Sequence, residues 1–508
     1  MKWCPGKKGC VAILFAFIAA TGIDAPAIAN DEDDWPGHTA LSLPRIAKND
    51  KPFFLLQCGA SPPRRIRPVA NFELAIFQCA TCKVAPQFEM KWRNQLLALF
   101  CLLVFAGLGV LYFQHWVIRK PFGIILFVGE GLSPSRLAPT RAYAGASTRL
   151  SLDSMPHVAF LTNYSKDFAA PDSAAAATAI ATGVRVPNSA IATNGDKKPI
   201  TSIIELAREY GRATGLVTDT KLTDPTSAAF YAHPVDPDDL GKIAAEFVDG
   251  GKIDIAMGGG ASQFLPARKG GERQDGRDLL LELRGNGFDI VRTRAELEAV
   301  PAWRRPKLFG AFNNADLAFA NQVEERGQQP SLSDMVRRAI QLLQYNVGGY
   351  LLVVDAGLMR KAAQENNGER TLMQTVELDR AVAVARRYAG QKSTIIICGD
   401  VAVGGMTLNG FPFRHDNGIA LLGLNSAGQP WITWATGPHG TRSYGAANIP
   451  GKQPNEQPEA PVEPAALYTK SALPTVEDVV VFGSGPGTDA LQGILDSTTV
   501  FNILRGEL

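Results

Sequence analysis

From residue 121 onward, short apolar runs alternate with segments whose apolar positions recur at helical spacing. The runs that indicate buried strands, most of them ending in Gly or Asp, are 123–131, 214–219, 254–260, 350–357, 394–400, 431–437 and 478–485. The segments of helical spacing are 173–182, 199–210, 238–249, 331–345 and 371–389. Buried strands that alternate with helices predict an α/β fold with a largely parallel sheet covered on both faces. The Pro-rich stretch 446–475 is predicted to be a surface loop.

Two longer apolar runs precede this pattern. Residues 11–23 follow two lysines and precede a small-residue stretch, which is typical of a secretory signal peptide cleaved after Ala29. Residues 94–118 carry no Asp, Glu, Lys or Arg, with Tyr112 and Trp116 near one end. At about 1.5 Å per residue this run is long enough to cross a membrane as a helix. The alternative is a buried helix of a soluble core.

The two runs conflict, because a cleaved signal followed by a membrane span would leave the main domain in the cytoplasm. However, "MKWRNQLLALF" from Met90 reads like an N-terminus of its own. Residues 1–89 are therefore predicted to be a leader or an upstream over-extension, 94–118 a single-pass anchor and 121–508 a periplasmic or extracellular domain. Basic residues flank the span on both sides, so the positive-inside rule does not decide its orientation.

Composition narrows the class of protein. The chain has 508 residues, of which 46% are hydrophobic and 20% charged, and its formal net charge is +2. This balance gives no reason to expect nucleic acid as a partner. Five of the seven cysteines precede residue 90, and only Cys398 lies in the main domain, which excludes a disulfide framework there.

Acidic residues stand at the ends of several predicted strands, namely Glu130, Asp219, Asp355 and Asp400. Ligands of open parallel sheets gather at the carboxyl ends of the strands. One such acid is commonly a helix N-cap, but several at one edge favour a metal site.

The segment "PDSAAAATAIATG" (171–183) places Asp172 and Ser173 directly before an alanine-rich helix. Backbone N–H groups at a helix N-terminus are unpaired and carry the positive end of its dipole. A phosphate held there is stabilised, and so is a serine oxygen that attacks phosphorus. The alternative is a simple Asp/Ser N-cap.

"ILFVGEGLSPS", "PDSAAAATAIATGVRVPNSAI", "GLVTDTKLTDPTSAAFYAH", "YLLVVDAG" and "EDVVVFGSGPG" together resemble the alkaline phosphatase family. The similarity covers roughly residues 121–505 in the family's order. It implies a three-layer sandwich around a mostly parallel sheet, hydrolysis of phosphate monoesters, bound metal ions and a homodimer. It also implies that Ser173 becomes phosphorylated.

The same resemblance assigns metal ligands to positions of this chain. Glu130 stands where the family has an aspartate that bridges two metals. Thr226 and Asp355 match the residues that complete the magnesium position, and Asp224 matches a residue beside that ion. Asp400 matches an aspartate that binds one zinc.

The departures from the family pattern concern the zinc sites. The family's zinc-binding side chains and its phosphate-clamping arginine are replaced at Arg360, Gln364, Val401, Pro474 and Pro237. The remaining oxygen donors favour Mg²⁺ or Mn²⁺ and argue against Zn²⁺. Three histidines that the resemblance or their loops place near the site are expected to be structural rather than metal ligands: His233, His415 and His439.

Arg360 has two interpretations. Its guanidinium would either replace a zinc ion and the clamp together, pairing phosphate with Ser173, or neutralise the surplus carboxylates. The sequence predicts a membrane-anchored hydrolase of small phosphate monoesters with altered metal use, in which Ser173, Asp172 and Arg360 are catalytic. The alternative is a catalytically silent relative that acts as a binding or scaffold protein.

Overall fold

The computed structural model describes residues 89–112, 122–145, 147–304, 307–390, 392–410, 430–440 and 463–508. The helices in these ranges are α1 Glu89–Tyr112, α2 Pro134–Ala144, α3 Ser173–Thr182, α4 Ile203–Glu209, α5 Pro225–Ala228, α6 Leu240–Gly250, α7 Leu279–Gly285, α8 Arg294–Ala299, α9 Val323–Arg326, α10 Leu332–Leu343, α11 Leu358–Gln364, α12 Gly368–Ala389 and α13 Thr499–Glu507. The strands are β1 Gly123–Gly129, β2 His157–Thr162, β3 Ala213–Lys221, β4 Ile255–Gly259, β5 Phe288–Val291, β6 Lys307–Ala311, β7 Tyr350–Ala356, β8 Thr394–Gly399, β9 Thr407–Leu408, β10 Ile432–Gly437, β11 Ala465–Tyr468, β12 Val479–Ser484 and β13 Ile494–Asp496.

Ten of these strands form one sheet in the order β13-β2-β12-β8-β1-β7-β3-β4-β6-β5. The neighbours from β8 to β5 all pair in parallel, whereas β12 runs antiparallel to both β8 and β2. The predicted largely parallel sheet is confirmed. β1 lies at its centre, flanked by β7 and β8, so its two ends mark the two edges of the sheet.

Helices cover both faces of the sheet, because β1 buries apolar side chains alternately on each side. Ile124, Leu126 and Val128 join one core cluster with residues of α3, α4, α6, α7 and α13. Ile125 and Phe127 join the other cluster with residues of α2, α10 and α12. Successive residues of a strand point to opposite faces, so a strand buried on both must be apolar throughout. This arrangement confirms the three-layer sandwich.

Two details of the predicted organisation are corrected. The apolar run 431–437 is a strand, but β10 belongs to a separate three-stranded sheet of order β11-β10-β9. The prediction that 446–475 is wholly a surface loop is wrong for β11, whose backbone pairs with residues 434–437 of β10. Residues 446–462 lie outside the described ranges.

Helix α1 begins and ends earlier than the predicted span 94–118, and residues 113–118 lie outside the described ranges. Its 19-residue window Trp92–Val110 has a mean hydropathy of 1.7, and none of it is buried. The alternative of a buried core helix is therefore wrong. The helix is long and apolar enough to cross a membrane. The signal-like run 11–23 lies outside the described residues.

Candidate active site

Four buried carboxyl groups lie at the carboxyl ends of neighbouring strands. Glu130 follows β1, Asp219 lies in β3, Asp355 lies in β7 and Asp400 follows β8. These strands are adjacent in the order β8-β1-β7-β3, and each of the four residues is at most 5% exposed. The structure thus brings together the acids that the sequence predicted for one edge of the sheet.

Each of four predicted metal ligands holds one buried oxygen atom without a hydrogen-bond partner. These atoms are Glu130 Oε1, Thr226 Oγ1, Asp355 Oδ1 and Asp400 Oδ2. Leaving a buried polar atom unpaired costs about 1–3 kcal/mol. Carboxylate and hydroxyl oxygens are donors that hard divalent cations prefer. In donor chemistry the four atoms fit Mg²⁺ or Mn²⁺.

The second oxygen of two of these acids is fixed by hydrogen bonds. Asp355 Oδ2 accepts from the Ser227 hydroxyl at 2.7 Å. Asp400 Oδ1 accepts from the backbone N–H of Gly131 at 3.2 Å, which ties the end of β8 to the turn after β1. These bonds hold both carboxyl groups in place and leave one oxygen of each open.

Crowding and burial disfavour the ionised forms of these acids. Burial, followed by the negative charge of Glu130, raises the pKa of Asp400 to about 8 and that of Asp355 well above its usual range. Burial raises the pKa of Asp219 to about 7, although the Leu358 N–H donates to it. A nearby cation favours the ionised form of a carboxyl group. The edge is therefore an environment that attracts positive charge.

Arg360 supplies one such charge. It lies in α11, directly after β7, and its Nε donates to Glu130 Oε2. Its second nitrogen donates to Asp224 Oδ2 at 3.3 Å, and the guanidinium is almost fully buried. No hydrogen bond joins it to Ser173 in the part of the chain that the structure describes. Its contacts match the interpretation in which Arg360 neutralises carboxylates.

The predicted metal ligands do not form a closed coordination cluster. Within the described ranges, no three His, Cys, Asp or Glu side chains converge closely enough to hold a metal ion. Arg360 bridges Glu130 and Asp224 instead. The ligand set of Glu130, Asp224, Thr226, Asp355 and Asp400 stays a prediction.

Ser173 opens α3 with a free hydroxyl. The residue is half-buried, and its Oγ makes no hydrogen bond to the described residues. Asp172 is the N-cap of α3: its Oδ1 accepts from Ala175 N at 2.9 Å, and its Oδ2 accepts from Ser189 N at 2.6 Å. Both Asp172 oxygens are thus used to hold the helix start. In this geometry Ser173 can react, and Asp172 positions it.

The positions where the family has zinc ligands are apolar or engaged elsewhere. Val401 is fully buried in an apolar cluster with Ala176 of α3 and Ala363 of α11. Gln364 accepts from Arg360 at 3.4 Å. Pro474 pairs with residue 403 in an isolated bridge between backbones. These positions offer no imidazole nitrogen, so the donor set does not fit Zn²⁺.

Two of the three histidines considered from the sequence make structural contacts. His233 Nδ1 lies 2.9 Å from the Ala192 carbonyl oxygen, and its Nε2 lies 3.2 Å from Glu205 Oε1. His439 Nδ1 lies 3.0 Å from the Glu463 carbonyl oxygen. His415 lies outside the described residues.

Two basic residues near the acids were missed from the sequence. Lys361 Nζ lies 3.0 Å from Asp224 Oδ2, a contact that its place directly after Arg360 could have suggested. Arg136 is buried beneath the edge, and its guanidinium donates to the Val403 carbonyl oxygen at 3.2 Å. Burial lowers the pKa of Arg136 to about 10. No periodicity marks Arg136, so no sequence signal would have found it.

Comparison with known proteins decides the family. A family model described as alkaline phosphatase matches residues 123–507. This chain belongs to the alkaline phosphatase family. The tissue-nonspecific isozyme of Gallus gallus is 29% identical over 441 residues, covering 75% of this chain and 83% of that protein. Alkaline phosphatase 4 of Bacillus subtilis is 27% identical over 366 residues, covering 66% and 76%.

Solved alkaline phosphatases share the fold. The Thermus thermophilus enzyme superposes with a TM-score of 0.61 at 23% identity, covering 77% of this chain and 91% of that one. The enzyme of the Antarctic bacterium TAB5 gives a TM-score of 0.59 at 20% identity, covering 77% and 98%. The expected alkaline-phosphatase-like sandwich is confirmed. Members of this family hydrolyse phosphate monoesters and typically use metal ions.

Proposed function

We propose that this alkaline phosphatase relative hydrolyses small phosphate monoesters through a phosphoserine at Ser173, with Mg²⁺ or Mn²⁺ rather than Zn²⁺. The observation that carries the proposal is the free Ser173 hydroxyl at the start of a buried helix. The acids at the carboxyl ends of the strands supply the oxygen donors for the cation.

The chemistry assigned to the chain's own residues is nucleophilic substitution. The Ser173 oxygen forms a bond to phosphorus and loses its proton, while the ester oxygen leaves and gains one. Water then cleaves the phosphoserine and releases inorganic phosphate. The first N–H groups of α3 have no acceptor within the helix, so they can stabilise phosphoryl oxygens. Asp172 holds this helix start through its cap.

The proposed cation site uses Glu130, Thr226 and Asp355, with Asp400 next to them and Asp224 as a flanking acid. Their buried unpaired oxygens support it. When bound, a divalent ion would neutralise developing negative charge on the phosphoryl group. A variant of the TAB5 enzyme was solved with Mg bound in a site called M3, which agrees with a magnesium site on this fold.

Arg360 takes a supporting role in the proposal. Its contacts with Glu130 and Asp224 supply fixed positive charge to the carboxyl groups where the family has zinc ligands. A guanidinium cannot ionise water as zinc does, so release of phosphate from phosphoserine is expected to be slow. Turnover should therefore be limited by the second step.

The test is p-nitrophenyl phosphate turnover by the full chain in detergent, with Mg²⁺, Mn²⁺ or Zn²⁺ added. We expect turnover that needs Mg²⁺ or Mn²⁺ and disappears in Ser173→Ala. The matched control is Ser189→Ala, which alters a neighbouring hydroxyl outside the helix. Turnover that persists in Ser173→Ala would overturn the phosphoserine route.

A catalytically silent binding or scaffold protein is the second candidate. The apolar surroundings of Val401 and the contact between Arg360 and Glu130 favour it, because they remove zinc chemistry from the site. No turnover with any ion, together with a metal that raises the unfolding temperature, would support this function instead.

We also propose that residues 94–118 anchor the chain in a membrane and that 121–508 form a periplasmic or extracellular catalytic domain. The exposed apolar surface of α1 supports the anchor. Resistance of the full chain to extraction from membranes by alkaline carbonate is the expected result.

A further inference from the structure

The chain enters the folded domain at the centre of its main sheet. The apolar run ends at Ile118, and β1 begins at Gly123. An extended chain spans at most about 3.6 Å per residue, which limits the distance between these two residues to about 18 Å. If residues 94–118 cross a membrane, the amino end of β1 must lie close to that membrane's surface.

The amino-terminal edge of the sheet exposes aromatic and apolar side chains at this point. Phe122 is 42% exposed, Tyr210 61%, Tyr345 43% and Val347 86%. They precede β1, β3 and β7, which are neighbours in the sheet. Tyrosine and other amphipathic aromatic residues concentrate at the interface between bilayer and water. We call these four residues the membrane-facing edge.

Hydrogen bonds hold the loops of this edge together. The backbone N–H of Tyr350 donates to the Phe122 carbonyl oxygen at 3.0 Å, which joins the starts of β7 and β1. The Asn346 side chain donates to the Gly211 carbonyl oxygen at 3.0 Å, which joins the loops before β7 and β3. The four exposed side chains are therefore presented from one connected surface.

Basic side chains lie at the same edge. Arg208 and Lys307 line a cavity of about 420 Å³ together with Asn346. Arg208 is paired with Asp254 at 2.9 Å, whereas Lys307 is exposed. Arg119 and Lys120 connect the apolar run to this edge in the sequence. Lys and Arg beside a span attract the phosphates of acidic lipids.

We propose that the membrane-facing edge rests on the bilayer that residues 94–118 cross. The proposal rests on the membrane anchor proposed above. β1 runs from this edge towards Glu130, and its seven residues at about 3.3 Å each separate the edge from the active site by about 23 Å. The site therefore faces away from the lipid, and its substrates are phosphate esters dissolved in water.

The test places a photocrosslinking residue, p-benzoylphenylalanine, at Val347 of the full chain in vesicles of phosphatidylcholine and phosphatidylglycerol. The matched control carries it at Val476, an equally apolar residue that is 76% exposed. Val476 lies before β12, near the carboxyl ends of the parallel strands, since Val481 of β12 pairs with Cys398 of β8. Lipid adducts are measured by mass spectrometry after irradiation.

We expect at least tenfold more lipid adduct from position 347 than from position 476. Similar yields at both positions, in protein that resists alkaline carbonate extraction, would overturn the docking and leave the anchor standing. Release of the protein by carbonate would overturn the anchor, and the docking with it. Neither result depends on phosphatase turnover, which tests the Ser173 chemistry separately.

Discussion

Arg360 carries a positive charge into a pocket of carboxyl groups. Burial alone would lower its pKa, but the charges of Glu130 and Asp224 raise it, so the guanidinium stays ionised. Removing one partner of a buried ion pair leaves an unpaired charge, which costs about 3–5 kcal/mol. Arg360 is therefore expected to contribute to folding whether or not it contacts substrate.

Arg360→Met should lower the free energy of unfolding by about 3–5 kcal/mol in metal-free buffer, because Glu130 loses its partner. Added Mg²⁺ should recover more stability in this variant than in the parent chain, since the ion can replace the lost charge. Urea unfolding with and without Mg²⁺ measures both effects. Arg360→Lys, which keeps the charge, is the control, and an equal loss in it would contradict this explanation.

The site shows at residue scale where sequence reasoning succeeds and stops. Glu130, Asp355 and Asp400 could be predicted, because the ends of parallel strands meet at one edge. The partner of Arg360 could not, since its long side chain can reach either a substrate or several carboxylates. Only the packed structure shows which contact forms. Arg136 has no sequence signal, because its burial depends on residues more than 250 positions away.

Helix α3 is an element whose start does chemical work. Its side chains from Ala174 to Thr182 are all buried, so packing holds the helix body. The start depends on Asp172, which also fixes Ser189 in a left-handed conformation with φ +64°. The segment predicted as 173–182 is confirmed to the residue, because the N-cap and Gly183 mark its two ends.

Asp172→Ala should reduce the free energy of unfolding by about 1–2 kcal/mol through loss of the cap, and lower turnover because Ser173 is no longer held. Asp172→Asn keeps an oxygen for Ala175 N and should retain most of the stability. Thermal unfolding and p-nitrophenyl phosphate turnover measure the two effects. A fully stable alanine variant would show that packing alone holds the helix start.

His233 joins three segments and gives their contact a pH dependence. Burial would lower its pKa, but hydrogen bonds to Glu205 and to the Ala192 carbonyl oxygen raise it above the usual 6.5. Lys252 also pairs with Glu205, and Glu246 accepts from the His233 backbone N–H. A group whose pKa is raised by folding stabilises fully below its unfolded pKa, and this contribution disappears as pH rises past the folded pKa.

We expect the free energy of unfolding to fall as pH rises above about 6.5, and His233→Gln to remove this part of the pH dependence. Urea unfolding at several pH values between 6 and 9 measures it. His157→Gln is the control, because that residue lies in β2 at the other end of the sheet. An unchanged pH dependence in His233→Gln would rule His233 out as its source.

For the whole molecule, the alternation of apolar runs and helical segments was enough to predict a parallel, two-sided sheet. It missed β2, β5, β6 and β13, and it placed β10 in the wrong sheet. Short or half-exposed strands such as β2 and β13 have weak apolar patterns, and their pairing depends on partners more than 300 residues away. The sheet to which a strand belongs is decided by such long-range packing, which periodicity does not record.

The stability of the whole chain should respond to divalent ions if the predicted ligands act together. Mg²⁺ should raise the unfolding temperature, EDTA should lower it, and Zn²⁺ should be no better than Mg²⁺. Binding to the folded state alone adds about 2.7 kcal/mol at a hundredfold excess over Kd. Differential scanning calorimetry measures the shift, and Asp355→Asn should abolish it. A full shift in Asp355→Asn would place the ion elsewhere.

The central position of β1 also has a mechanical consequence. The proposed anchor leads into this strand, which is held on both sides by the parallel strands β7 and β8. A pull along the strand axis would load both hydrogen-bond ladders in shear, so they must break together rather than one bond at a time. Tension on the membrane would thus enter the domain through the part of the sheet best able to bear it.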